Sequence, residues 1–364
     1  EIHIKNLIHR LEVRGHNVTL LTNEEGRHKN DQYVYRLPWS KKNLIKIIKI
    51  LWKESKKADL IHCHYSYRFA ALSGIVGRLR GIPVFVTLHG MGILNHPGTP
   101  FVYQQAHSLY RFLSLKLSTH VISTSEDLAG FAYKYIHKGK VSVIANGFDE
   151  VIFRRDKAVS VDFLSKYKNK KIILTVRRLV PKNGIHYLIE AMPHILKKVP
   201  NAILILVGDG SMRHYIEKKI QNLNLSEHVT LLGEIQNNNV PQYIKAANVV
   251  VFPSTAESSS IACAEAMGMG TPVVASRVGG LIELLGGSNE RGTLVRLVDW
   301  EQSNYDAPLS LEEDRYKDLA EAIVQNLNHR DDKKMERALN YAHENLSWSA
   351  IGDRTIALYR KFIK

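Results

Sequence analysis

The chain has 364 residues, 45% of them hydrophobic, which is enough for two well-buried cores because single domains usually stop growing near about 250–300 residues. Lys and Arg outnumber Asp and Glu by 50 to 35, and the net charge of +15 favours anionic partners such as phosphates, acidic lipid or nucleic acid. Cys63 and Cys263 are the only cysteines, which excludes a disulfide framework and suits a reducing compartment.

The opening "EIHIKNLIHRLEVRGHN" places Ile4, Leu7, Ile8 and Leu11 at helical spacing and is too polar for a signal peptide. No apolar run approaches the about 18–20 residues that a membrane span needs, so a soluble cytoplasmic protein is expected. Strands then follow at "HNVTLLT" (16–22), "QYVYRLPW" (32–39), "DLIHCH" (59–64), "PVFVTLHG" (83–90), "THVISTS" (119–125) and "VSVIANG" (141–147). Amphipathic stretches between them predict a doubly wound parallel sheet.

One of those stretches, residues 41–57, gathers Leu44, Ile45, Ile47, Ile48, Leu51 and Trp52 on one arc and Lys46, Lys49, Lys53, Lys56 and Lys57 on the other, with Ile50 alone among the lysines. It reads as a sheet-covering helix with an outward basic face, which would also suit anionic lipid head groups. On "DLIHCH", His62 and His64 point to the same side of a strand, but a metal site needs a third ligand that the sequence does not supply.

Around residues 150–169 strand patterning lapses and charge rises, marking the domain join. A second series of strands begins at "KKIILTV" (170–176) and continues through "AILILVGDG", "VTLLG", "VVVFPS", "TPVVAS" and "GTLVRLV", again with helices between. The acidic stretch 299–316 reads as a solvated loop.

In "ESSSIACAEAMGMG" the strand "VVVFPS" leads through a short loop into a helix, so Glu257 lies beyond the carboxyl end of a strand and Glu265 about two turns along the helix. Ligands of open parallel sheets bind at such ends, and helix N-termini bind anions. Ser258, Ser259 and Ser260 can cap the helix while free backbone N–H groups face a phosphate. Eight helical residues span ~12 Å, too far for the ~5 Å carboxylate pair of a retaining glycosidase. The two acids therefore suit different parts of one long ligand, and a diphosphate flanked by hydroxyl-rich groups is a nucleotide sugar. From spacing alone, a loop acid and a surface helix acid explain the pattern equally well.

The chain resembles the retaining glycosyltransferases of family 4, with likeness over almost its whole length. The most specific match is E-x7-E, Glu257 and Glu265, within "PSTAESSSIACAEAMGMGTPVVASRVGG". "VTLHG" (86–90), "VIANGFD" (143–149), "RRLVPKNGIHYLIEAM" (177–192), "VGDGSMR" (207–213), "VTLLGEI" (229–235) and the terminal "LSWSAIGDRTIALYRKFI" follow in the family's order.

The resemblance implies a GT-B fold, two Rossmann-like α/β domains facing a cleft: an acceptor-binding domain at 1–155, a nucleotide-sugar domain at 156–348, and a final helix at 349–364 crossing back to the first. It also implies that Glu265 binds the ribose and that Glu257 lies beside the transferred sugar. By the same resemblance Arg178 would neutralise the diphosphate, and His89 would face the acceptor and the reacting sugar. Ser259, Ser260 and Ile261 present the helix tip, while Gly208 and Glu234 approach the nucleotide; turn geometry alone would also account for Gly208 and Gly210. Where the family has a lysine five positions after the arginine, this chain has Asn183, with Lys182 next to it as the expected substitute.

By the same resemblance no catalytic metal or other cofactor is needed. The expected reaction moves a hexose from a UDP-sugar, or from GDP-mannose, to a glycan or lipid-linked acceptor, and the net positive charge with the lysine face of 41–57 favours docking at the inner face of the cell membrane. Relatives begin with a strand and a glycine-rich turn before the first helix, both expected to be missing here. An epimerase or phosphorylase of the same fold, or a non-catalytic sugar-nucleotide binder, would share these motifs. A nucleic-acid binder is disfavoured because no stripe interleaves basic and aromatic residues.

Overall fold

The computed structural model describes residues 2–22, 34–90, 101–156, 167–298 and 313–363. The chain divides into two compact units, Glu1–Ala145 with Trp348–Lys364, and Asn146–Ser347. The linker stretch 157–166 and most of the acidic stretch lie outside the described residues, but residues 313–316 open a helix rather than continue a loop.

In the first unit, α1 (Ile2–Val13) precedes a short parallel pair, β1 (Leu20–Thr22) and β2 (Val34–Arg36). After α2 (Lys41–Glu54) the chain alternates β3 (Ile61–His64), α3 (Arg68–Arg80), β4 (Val84–Leu88), α4 (Phe101–Leu117), β5 (His120–Ser123), α5 (Glu126–Ala132) and β6 (Val141–Val143). Among the described residues the strands β3 to β6 form one parallel sheet in sequence order, with β1 and β2 as a separate parallel pair. Among the described residues no strand joins β1 to β3.

Because successive side chains on a strand alternate faces, β4 serves two cores. Val86 and Leu88 pack with Ala70, Leu115, Leu128 and Ala132 from the crossover helices. Phe85 points the other way, into a cluster with Leu7 of α1 and Trp348, Ile351, Leu358 and Tyr359 of the C-terminal helix Trp348–Arg360. All five residues of β4 are buried, as a strand covered on both faces requires.

Ser40 caps α2 by accepting a hydrogen bond from the Asn43 N–H. The apolar arc of α2 is less covered than its pattern predicts. Ile47 is fully buried, yet Ile45 is 66% exposed and Ile48 38%, while Ile50, expected among the lysines, is half-buried. The helix packs on α3 along a seam narrower than its arc, which leaves the outer isoleucines without cover. Arg80 stacks its guanidinium 3.5 Å over the Trp52 ring.

The second unit is a six-stranded parallel sheet: β7 (Lys171–Val176), β8 (Ala202–Val207), β9 (Val229–Gly233), β10 (Val249–Phe252), β11 (Val273–Ser276) and β12 (Thr293–Val295). Their spatial order is β12-β11-β10-β7-β8-β9. Strand β8, "AILILV", is buried throughout, and each fully buried Leu or Ile there contributes roughly 1.5–3 kcal/mol. The helices Ile185–Lys198 and Glu313–Asn328 pack together over this sheet.

The strand order decides where a ligand fits. The chain enters at the central β7 and moves outward through β8 and β9. It then returns to the other side of β7 and moves outward again through β10, β11 and β12. The connections after β7 and β10 therefore leave in opposite directions, opening a crevice beyond their carboxyl ends.

Candidate active site

Arg177 and Arg178 follow β7, and their side chains diverge as neighbours on an extended segment must. The Arg177 side chain is 8% exposed and turns into the crevice; Arg178 is exposed and, among the described residues, its guanidinium has no hydrogen-bond or ion-pair partner. Beyond β10, the segment 253–260 supplies the opposite wall.

Arg177 binds that wall together. Its guanidinium donates to Ser260 Oγ at 2.8 Å, to Ser254 Oγ at 2.6 Å and to Asn183 Oδ1 at 3.0 Å. It also forms an ion pair with Glu257, whose side chain is 11% exposed. Asn183 is fixed in turn by donating to the Arg178 carbonyl at 2.7 Å. Burial alone would raise the Glu257 carboxyl; Arg177, then Lys182 and the Ser259 N–H outweigh it and hold the group below its ordinary value. Lys182 shows the converse, its ammonium lowered by burial while Glu257 opposes the shift and Arg177 and Arg178 add to it.

The helix Ile261–Gly268 begins at this wall. Ser260 caps it by accepting from the Cys263 N–H at 3.3 Å, and Ser259 Oγ accepts from the Asn146 N–H at 3.1 Å. Gly280 lets the next helix approach: a Cβ there would lie 2.0 Å from the Ser258 carbonyl oxygen. The Gly280 N–H donates to the Glu257 carbonyl at 2.9 Å, so backbone holds the loop that presents the carboxylate.

Glu265 lies on this helix, buried, with no ion-pair or hydrogen-bond partner for its carboxyl among the described residues. Burial, then the nearby charge of Asp149, pushes its pKa up to about 8. The two glutamates of the motif thus rest in opposite protonation states near neutrality, Glu257 ionised and Glu265 largely protonated.

The remaining sequence-predicted residues of this unit surround the crevice more loosely. Gly208 follows β8 with φ +127, and a Cβ on it would lie 2.1 Å from the Arg177 carbonyl oxygen, so close backbone approach requires glycine whatever binds nearby. Glu234 follows β9 and is exposed, and Ile261 is half-buried at the helix start. Sequence reasoning missed Arg177 and the bridging role of Asn183. The doubled arginine after the strand was the available signal, since alternation sends one of the two inward.

His89 belongs to the first unit. Its Nε2 lies 2.9 Å from Nδ1 of His64, and the two rings stack. His62 shares the strand face with His64, as expected, and its Nε2 meets Thr87 Oγ1 at 2.6 Å while its Nδ1 meets the Tyr359 hydroxyl. Burial, then His3, pushes His62 down to about 3, and His64 also falls well below its ordinary value, chiefly through burial. Next to His64, Tyr65 has a left-handed backbone, φ +71, which is strained for an aromatic residue.

Comparison with known proteins bears on both units. Residues 156–342 match the model of the glycosyl transferases group 1, and residues 1–151 that of Glycosyltransferase Family 4. A protein of Methanocaldococcus jannaschii described as an uncharacterized glycosyltransferase is 31% identical over 312 residues, 78% of each chain. An Escherichia coli enzyme, the UDP-Gal:alpha-D-GlcNAc-diphosphoundecaprenol alpha-1,3-galactosyltransferase, is 30% identical over 251 residues, 66% of this chain and 62% of its own length. Among solved structures, the sucrose-phosphate synthase of Thermosynechococcus elongatus aligns with a TM-score of 0.72 at 26% identity, covering 99% of this chain and 92% of that one.

Proposed function

The chain belongs to the group 1 glycosyltransferases and has their GT-B fold, and from this premise we propose that it moves a hexose from a nucleotide sugar to a glycan or lipid-linked acceptor with retention of configuration. A UDP-sugar is the favoured donor and GDP-mannose the alternative. The observation that carries the reading is the arrangement at the switch point of the second unit's sheet. There Arg177 and Lys182 flank the ionised Glu257, Arg178 stands exposed beside them, and a serine-capped helix begins at the same wall. A diphosphate leaving a sugar builds negative charge, and fixed cations with free helix N–H groups stabilise it.

In this reading Arg178, with Lys182, takes the diphosphate, and the tip 259–261 offers backbone N–H groups to it. Glu265 accepts from the ribose hydroxyls, and Glu257, held by Arg177, borders the hexose. Gly208 and Glu234 line the approach of the nucleotide, and His89 serves the acceptor side. The acceptor hydroxyl attacks the anomeric carbon from the face that the diphosphate leaves. The bond from that carbon to the phosphate oxygen breaks, and the departing oxygen takes the acceptor proton. No metal enters these steps.

The Escherichia coli relative, a UDP-Gal:alpha-D-GlcNAc-diphosphoundecaprenol galactosyltransferase, supports a UDP-sugar donor and a diphosphate-linked lipid acceptor. On α2, exposed Ile45 and Ile48 lie among the exposed Lys42, Lys46, Lys49 and Lys53, a pairing of apolar and basic groups that suits an anionic lipid surface. Among the described residues no helix is long and apolar enough to cross a membrane, so the reading is peripheral docking. A thermal-shift panel of UDP-, GDP- and ADP-sugars tests the donor: at 100 times its Kd a ligand stabilises by about 2.7 kcal/mol. One donor should raise the melting point selectively, and Arg178→Ala or Glu265→Ala should reduce that rise. A panel with no selective donor, or variants that respond like the parent chain, would overturn the assignment.

A further inference from the structure

On the sequence, His62 and His64 lack a third ligand; the fold brings two more imidazoles to them. His3 arrives from α1, and His89 from the end of β4. The His3 ring lies 4.5 Å from that of His89 and 5.3 Å from that of His64. One nitrogen from each of His3, His64 and His89 falls within 4.8 Å of the other two.

We propose that His3, His64 and His89 form a binding site for a divalent transition metal, Zn2+ foremost. Metal–nitrogen distances of about 2.0–2.1 Å in tetrahedral geometry separate two ligating nitrogens by about 3.3 Å. His64 Nδ1 and His89 Nε2, now 2.9 Å apart, would open by about 0.4 Å, and the widest pair would close by at most about 1.5 Å. Changes of that size fall within side-chain adjustment.

The donor set selects the ion. Three imidazoles with no carboxylate suit Zn2+, Cu2+ or Ni2+ and give Mg2+ or Ca2+ nothing to prefer. All three residues are partly exposed, so an ion has access and a fourth position stays open to water or an anionic oxygen. Neighbouring rings restrict the ligands: Trp348 meets His3 edge-on at 4.9 Å, and Tyr65 lies 5.1 Å from His89. His62 stays outside the set because Thr87 and Tyr359 take both of its nitrogens. A bound ion would fasten α1 to the ends of β3 and β4 and withdraw His89 from any other task.

The experiment is a Co2+ titration of the chelator-stripped chain, read by visible absorption and followed by Zn2+ displacement. Expected is one Co2+ per chain with the intense bands of tetrahedral coordination, Zn2+ displacing it, and a higher melting point with Zn2+. His3→Ala and His64→Ala should each weaken Zn2+ binding by at least about 100-fold, the upper end of what losing an outer-shell partner costs, with far-UV circular dichroism unchanged. His329→Ala, at an exposed histidine, should bind like the parent. His3 lies in the first turn of α1, so its variant stays informative if His64→Ala fails to fold. A weak octahedral Co2+ spectrum, or equal Zn2+ affinity in His3→Ala and the parent chain, would overturn the site.

Discussion

Replacing Arg177 with alanine tests the central bracing of the second unit. The substitution removes three hydrogen bonds, to Ser254, Ser260 and Asn183, and the ion pair with Glu257. Glu257 would then remain 89% covered, since its side chain is 11% exposed, with Lys182 left as the cation acting on it. Breaking a buried pair from one side costs about 3–5 kcal/mol, more than the pair itself contributes, because the stranded charge keeps its desolvation penalty. For a unit the size of Asn146–Ser347, each kcal/mol lowers the melting temperature by roughly 2–4 °C, so calorimetry should show a fall of about 6–20 °C.

The pH dependence adds a sign. In the parent chain the folded Glu257 pKa is depressed below 4.5, so its contribution is present above that value and is lost as pH falls through the folded pKa. Without Arg177, burial dominates and raises the group, so the variant's deficit should shrink in acid. Arg177→Met with Glu257→Gln should recover much of the loss. A melting temperature within about 2 °C of the parent for Arg177→Ala, or a double variant no better than the single one, would refute the reasoning.

Three further outcomes are expected. Glu265→Gln should gain stability relative to the parent as pH rises from about 5 to about 8: a raised folded pKa stabilises below the unfolded value, and that stabilisation is lost on the way up to about 8. A pH-independent difference in urea unfolding would contradict it. Gly280→Ala should cost about 1–3 kcal/mol, through the 2.0 Å approach to the Ser258 carbonyl, and should weaken donor binding with it; a neutral variant would mean that the loop yields freely. Lys46→Glu with Lys49→Glu should abolish sedimentation with anionic vesicles and leave donor-induced thermal shifts intact, whereas unchanged sedimentation would remove α2 from the membrane reading.

Much of the fold was legible because its signals are local. Runs such as "AILILV" and "VVVF" announce strands, and the serines at 258–260 announce a helix start, which Ser260 caps. Less legible was anything set by which neighbour a side chain meets. The period of α2 gave its apolar arc but not the width of the seam on α3, so Ile45 reads as covered and is exposed. Arg177 and Asn183 meet across strand ends, a pairing visible only once β7 and β10 are known to be adjacent. His3 was hidden for the same reason, with 60 residues between it and His64 that only the fold closes.

The Arg177 bridge is made entirely by the chain's own side chains. Arg177, Glu257, Asn183 and Ser260 are already braced against one another, so among the groups a ligand meets it is the exposed Arg178 that still has rotamer freedom to lose. The ligand's affinity is then limited by its own desolvation and immobilisation, with little charge for ordering the protein. Calorimetric binding of a nucleoside diphosphate would show this as a heat-capacity change matching the surface it buries, with no added component from a segment folding around it.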